Sequence, residues 1–159
     1  MKKYLVIGNP IEHSLSPKLH NFWMKKNNIH AIYEKEKILD SDLKGLIAKV
    51  QKGEISGINV TVPFKKKVID YLDQLSIGSK ITQSVNTISL NGKNLIGYNT
   101  DIDGFELAIK NINFNVLNKK ILILGAGGVV SSIIFALKKL KAQQIIVSNR
   151  TKEKAENLK

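Results

Sequence analysis

Four aliphatic residues, Ile121-Leu122-Ile123-Leu124, run directly into Gly125-Ala126-Gly127-Gly128, and an apolar periodic stretch follows from about Val129 to Leu140. This order reads as a buried strand, a glycine turn and a helix, and it constrains the fold more than any other segment. Such a turn lets a pyrophosphate approach the backbone, while the helix N-terminus supplies amide donors and a partial positive charge. Gly125-x-Gly127 fits a dinucleotide-binding turn, with Val130 at the third glycine position. On this segment alone a tight structural turn is an equal alternative.

The next strand, Gln144 to Val147, ends in Ser148-Asn149-Arg150-Thr151. NAD-specific sites place a carboxylate there to hold the ribose hydroxyls, and none is present. Arg150 is the only arginine in the chain and falls where a 2′-phosphate would lie. Its planar fork makes bidentate bonds to phosphate. Lys152 and Lys154 add positive charge nearby. These residues point to NADP rather than NAD, the alternative being a solvent-facing helix start.

The rest of the chain alternates strand and helix. Lys3 to Ile7 reads as a strand ended by Gly8-Asn9-Pro10, and Ser16-Pro17 as a helix start with Ser16 at N-cap. A strand from Ala31 to Ile38 precedes a helix carrying Leu43, Leu46, Ile47 and Val50, closed by Gly53. Ile55 to Val62 is a strand ended by Pro63, and Phe64 to Leu72 a short helix. Val85 to Leu90 and Asn94 to Tyr98 form a hairpin around Asn91-Gly92, and Asp101 to Ile112 a helix. Thr151 opens a last helix. Such alternation implies an α/β fold with mostly parallel pairing.

Composition closes several routes. Without cysteine there are no disulfides, thiolate metal sites or thiol nucleophiles, and the cytoplasm is the default setting. The apolar run Tyr4 to Ile7 is far shorter than the about 20 residues a membrane span needs. The net charge of +12 favours anionic partners, but solubilising surface lysines are the better account of most of it. Scattered lysines, one arginine and 6% aromatics do not resemble a nucleic-acid reader.

Two groups of polar residues precede the glycine turn. Ser14 and Ser16 flank Leu15 beside a helix N-terminus, where two hydroxyls suit a carboxylate; plain capping by Ser16 is the alternative. Asn59 and Thr61 share one face at a strand end, and Lys65 follows Pro63. Lys65 can donate to a hydroxyl or carbonyl oxygen, or belong to a solvated basic cluster with Lys66 and Lys67. Asn86 offers an amide, and Asp101 is either a helix cap or a carboxylate that orients Lys65.

Six segments in one order resemble the shikimate dehydrogenase family. They are Gly8-Asn9-Pro10-Ile11 with Ser14-x-Ser16-Pro17, Asn59 to Lys65, Val85-Asn86-Thr87, Gly97-x-Asn99-Thr100-Asp101-x-x-Gly104, Gly125-Ala126-Gly127-Gly128, and Asn149-Arg150-Thr151. The resemblance implies a mostly parallel open-sheet substrate domain, followed by the first βαβα part of a Rossmann-type NADP-binding domain. Residues 1–101 would bind shikimate, 102–118 would form a connecting helix and linker, and 119–159 would begin the NADP-binding domain. It implies that Ser14 and Ser16 bind the substrate carboxylate, that Asn59, Thr61, Asn86 and Asp101 bind ring hydroxyls, and that Lys65 and Asp101 form the catalytic pair. Gly125, Ala126, Gly127, Gly128, Val129, Asn149, Arg150, Thr151 and Lys154 would hold the cofactor. The partners expected are shikimate or 3-dehydroshikimate and NADPH, with a homodimer left open and neither nucleic acid, membrane nor metal involved. A quinate/shikimate dehydrogenase and a non-catalytic module for a small polyol carboxylate are the competing readings.

Dinucleotide sheets of this class have about six strands, and this chain supplies two, so a fragment or truncated reading frame is expected. Two βα units hold adenine-side phosphates without enclosing a nicotinamide, and little or no dehydrogenase activity is expected of the chain by itself. A complete version should bind NADPH more tightly than NADH in a direct titration, and equal affinities would defeat the assignment of Arg150.

Overall fold

The computed structural model describes residues 1–158. Strands β1 (Lys2–Gly8), β2 (Ala31–Lys37), β3 (Gly57–Val60), β4 (Gln74–Leu75), β5 (Thr87–Asn91) and β6 (Asn94–Tyr98) form one sheet in the order β2-β1-β3-β5-β6-β4. β1 pairs in parallel with both β2 and β3, and β4 with β6. β5 is antiparallel to β3 and β6 and is the only reversed strand among the described residues. The expected open, mostly parallel sheet is therefore present.

Helices α1 (Ser16–Lys26), α2 (Leu43–Gln51), α3 (Ile77–Thr82) and α4 (Thr100–Asn111) connect or flank this sheet. A second sheet pairs β7 (Lys120–Leu124) in parallel with β8 (Gln144–Ser148), with α5 (Val130–Lys139) between them and α6 (Lys152–Glu156) after. None of these helices is long and apolar enough to cross a membrane.

The alternation of β1 and β3 sorts their side chains to two faces. Leu5, Ile7, Ile58 and Val60 face α2, which buries Leu43, Leu46, Ile47 and Val50 at helical spacing, and Phe64, Val68, Val85 and Ile88 complete this core. On the opposite face Val6, Ile11 and Tyr33 pack with Tyr4 and Met24. α1 buries none of its residues fully, and Phe22 and Trp23 are exposed. On β7 and β8 every second residue, Leu122, Leu124 and Ile146 among them, stands exposed, so only one face of the small sheet is covered.

Several boundaries differ from expectation for local reasons. The helix expected over Phe64 to Leu72 is a 3₁₀ turn at Lys67–Tyr71, because Phe64 is drawn into the core and fixes the chain before it. Ser16 lies inside α1, whose N-cap is Leu15, and its amide donates to Ser14 Oγ over 3.3 Å. Asn99, not Asp101, caps α4, its Oδ1 accepting from the Asp101 amide at 3.2 Å. β4 and α3 carry too few residues for a periodic pattern and were not expected.

Each aliphatic side chain fully buried between β3 and α2 contributes about 1.5–3 kcal/mol by removal from water. Ile58 is 2% exposed within the core that these elements share. Ile58→Ala should lower the unfolding free energy by about 2–5 kcal/mol, read as a fall in the urea midpoint at unchanged slope.

Candidate active site at the carboxyl ends of the strands

Strand direction decides which residues meet. β1, β3 and β6 end on the same edge of the sheet, and reversed β5 begins there. The segments leaving β1, β3 and β6 carry Ser14 and Ser16, Thr61 to Lys65, and Asn99 to Asp101. Asn86 immediately precedes β5. Gly8 allows the first two segments to touch, since a Cβ there would lie 2.6 Å from Thr61 Cγ2. The Asn9 amide then donates to Val62 O at 3.0 Å and the Thr61 amide to Ile7 O at 2.9 Å.

Lys65 and Asp101 form an ion pair of 2.6 Å from Nζ to Oδ2, with side chains 16% and 24% exposed. The cap from Asn99 fixes the start of α4, and Asp101 in its first turn is favoured by the helix dipole. Asn86 Nδ2 donates to the other carboxylate oxygen of Asp101 at 2.8 Å. The Asn86 carbonyl accepts from the Thr100 amide at 2.9 Å, which sets the orientation of its carboxamide. Backbone also places the lysine: the Val85 amide donates to Lys65 O at 2.8 Å. An ammonium, a carboxylate and an amide from three separate segments therefore meet in one hydrogen-bonded group.

Asn59 is tied inward. Its Oδ1 accepts from the Tyr33 hydroxyl at 2.6 Å, and its Nδ2 donates to Thr87 Oγ1 at 2.9 Å and to Asn86 O at 3.2 Å. Ser14 and Ser16 are half-buried in the segment that leaves β1, with no hydrogen bond to Lys65 or Asp101.

The glycine turn lies across from Lys65. A cleft of about 350 Å³ is lined by Pro63, Lys65 and Ser84 on one side and by Gly127, Gly128 and Ser131 on the other. Gly125 has φ +108°, a conformation open to glycine, and donates to Ser148 O at 2.7 Å. Asn149 shapes the turn by accepting from the Ala126 amide at 3.1 Å and donating to Thr151 O at 2.7 Å. α5 begins at Val130, with Val129 as its N-cap, and the amides of Gly127, Gly128 and Val129 take no part in the turn's own hydrogen bonds. Arg150 and Lys154 are exposed at the end of β8 and on α6. Open glycines, unused amides and a free guanidinium suit a phosphorylated dinucleotide.

A buried polar junction joins the two sheets. Asn99 Nδ2 donates to Ser132 Oγ of α5 at 2.8 Å and to Thr82 Oγ1 of α3 at 2.9 Å. Lys139 of α5 pairs with Glu106 of α4 at 2.7 Å, and this bond holds the lysine above its ordinary range. Tyr33, Thr87, Ser132 and Thr82 carry no sequence signal of these roles, because their partners lie far along the chain.

Two family models match. "Shikimate dehydrogenase substrate binding domain" covers residues 6–88, more than half of the chain. The chain belongs to the shikimate dehydrogenase family. The model "Shikimate / quinate 5-dehydrogenase" covers residues 106–159. A protein named shikimate dehydrogenase (NADP(+)) from Pelagibacter ubique is 57% identical over 158 residues, which are 99% of this chain and 60% of that protein. The shikimate dehydrogenase crystal structure from Aquifex aeolicus superposes with a TM-score of 0.92 at 39% identity, covering 99% of this chain and 59% of that one. Shikimate 5-dehydrogenase from Thermus thermophilus, solved in complex with NADP(H) and shikimate, gives a TM-score of 0.89 at 32% identity, with 99% and 59% covered. The chain thus spans about 60% of the length of these relatives.

The Asn99 junction has a measurable weight. Asn99→Ala should lower the unfolding free energy by about 1–3 kcal/mol, through the lost cap and the hydroxyls left without a donor. Ser132→Ala should cost less, and the double variant should cost less than the sum of the two, because one bond is shared.

Proposed function

We propose that this chain forms the shikimate-binding part and the beginning of the NADP-binding domain of a shikimate dehydrogenase, which reduces 3-dehydroshikimate with NADPH. The observation that carries this proposal is the Lys65–Asp101 pair at 2.6 Å, with Asn86 on the second carboxylate oxygen. Family membership and the relatives' names support the substrate and cofactor.

In this proposal, Ser14 and Ser16 receive the substrate carboxylate at the start of α1. Asn86 and Asp101 bind ring hydroxyls, with Thr61 and Asn59 beside them. NADPH, when bound, supplies the hydride to the C3 carbonyl carbon. Lys65 donates a hydrogen bond to the carbonyl oxygen and passes it a proton as negative charge develops there. Asp101 keeps the ammonium aimed at that oxygen. Gly125, Ala126, Gly127, Gly128 and Val129 would face the pyrophosphate, and Asn149, Arg150, Thr151 and Lys154 the adenosine 2′-phosphate. We divide the chain accordingly into a substrate domain, residues 1–101, a connection, 102–118, and the start of the cofactor domain, 119–159. A cytoplasmic setting belongs to the same proposal, and the Ser14-x-Ser16 pair supports shikimate over quinate.

The proposal is tested in two steps. Titration of the chain with shikimate should show saturable binding that Ser14→Ala and Ser16→Ala weaken, while its steady-state oxidation of NADPH stays near background. In a version extended to the length of the relatives, Lys65→Ala should reduce turnover by about 10²–10⁴-fold and shikimate binding far less. Near-normal turnover would remove the catalytic role of Lys65.

A further inference from the structure

We propose that Tyr33, which makes no hydrogen bond to Lys65 or Asp101, is a positioning residue that acts on Asp101 and the ligand-facing amide of Asn86 through a one-way chain of hydrogen bonds. This inference rests on the proposed shikimate site and adds to it the polarity of the groups offered to the ring hydroxyls.

The direction of each bond follows from groups that have a single option. The backbone carbonyl of Asn86 accepts only, so the Asn59 atom 3.2 Å from it is the NH₂ group. Asn59 Oδ1 therefore faces Tyr33, and the phenol must donate to it, at 2.6 Å. Asn59 Nδ2 in turn donates to Thr87 Oγ1 at 2.9 Å. The Thr100 amide donates only, which makes its partner on Asn86 the carbonyl oxygen. The Thr87 hydroxyl, 3.1 Å from that same oxygen, must then donate to it. Asn86 Nδ2 is left to donate to Asp101 Oδ1 at 2.8 Å. The order Tyr33, Asn59, Thr87, Asn86, Asp101 runs from donor to acceptor without a break.

Tyr33 is itself held firmly. It is 3% exposed, its ring stacks on His20 at 4.2 Å, and its backbone exchanges two hydrogen bonds with the Asn21 carboxamide, at 2.8 and 2.9 Å. Burial pushes its phenol upward, so it keeps the proton it must donate.

The consequence for the site is chemical. Both hydrogens of the Asn59 amide are used, so this amide contributes through the chain rather than as a donor to the ligand. The Asn86 carbonyl accepts from Thr87, the Thr100 amide and the Thr100 hydroxyl, and is saturated. Asn86 then offers a ligand one N–H and no lone pair, while Asp101 offers lone pairs only. Adjacent hydroxyls satisfy both when one accepts from Asn86 and the other donates to Asp101.

The test uses the whole chain and four forms: unmodified, Tyr33→Phe, Thr87→Val and Thr87→Ser. The Asn86 side-chain amide resonance is recorded without ligand, and shikimate affinity and melting temperature are measured for each form. Tyr33→Phe and Thr87→Val should move the Asn86 resonance and weaken shikimate binding by about five-fold. Thr87→Ser, which keeps the hydroxyl and loses the methyl, should restore both. Packing alone predicts the opposite order, since valine preserves the shape of threonine. An Asn86 resonance unmoved in Tyr33→Phe and Thr87→Val overturns the proposal, as does a serine variant no better than the valine one. If the unmodified chain fails to bind shikimate, the substrate assignment fails, and the Asn86 resonance still decides the role of Tyr33.

Discussion

The Asp101 carboxylate is where the chain's distant parts are brought into agreement. One oxygen takes Lys65, 36 residues earlier in sequence, and the other takes Asn86, 15 residues earlier. No local preference creates such a meeting. It follows from the sheet, in which β3 and β6 run one way and β5 the other. With β5 reversed, the residue before that strand and the residues after its neighbours share an edge. A parallel β5 would carry Asn86 to the far end of the sheet. The antiparallel hairpin of β5 and β6 is thus as much a part of the site as the charged residues.

The pair is not an ornament of stability. Taking two charges partly out of water costs free energy that their attraction repays only with good geometry and further hydrogen bonds. Here those bonds exist: Asn86 supplies one, and the Asn99 cap fixes the helix start beneath. The aliphatic contact between β1, β3 and α2 carries the folding, and the polar edge uses that rigidity. The side chains hold one another through these bonds, so little ordering remains for binding to accomplish.

Much of this was legible in the sequence, unevenly. α2 announced itself through Leu43, Leu46, Ile47 and Val50, whose 3.6-residue spacing has one sensible partner, a sheet face. β7, the glycine turn and α5 were equally clear, because buried strand, glycines and apolar helix follow one another directly. Lys65, Asn86 and Asp101 could be named because six motifs occur in family order. Hydrogen-bond partners could not. Ser16 looked like a cap, yet the helix begins one residue sooner, at a backbone angle that residue type does not reveal. The partners of Asn59 depend on register between strands, and register is set by burial over the whole sheet rather than by neighbours in sequence. α3 failed to appear for a plainer reason: six residues make too short a helix to show a period.

The Asn99 carboxamide reaches two helices besides its own. Its oxygen holds the first turn of α4, and its nitrogen is bonded to Ser132 on α5, the helix that opens at the glycine turn. Pivoting of one sheet against the other therefore has a fulcrum two residues from Asp101, at the start of the same helix. A swing of α5 large enough to open the cleft must either drag the amino end of α4 along or sever that tether.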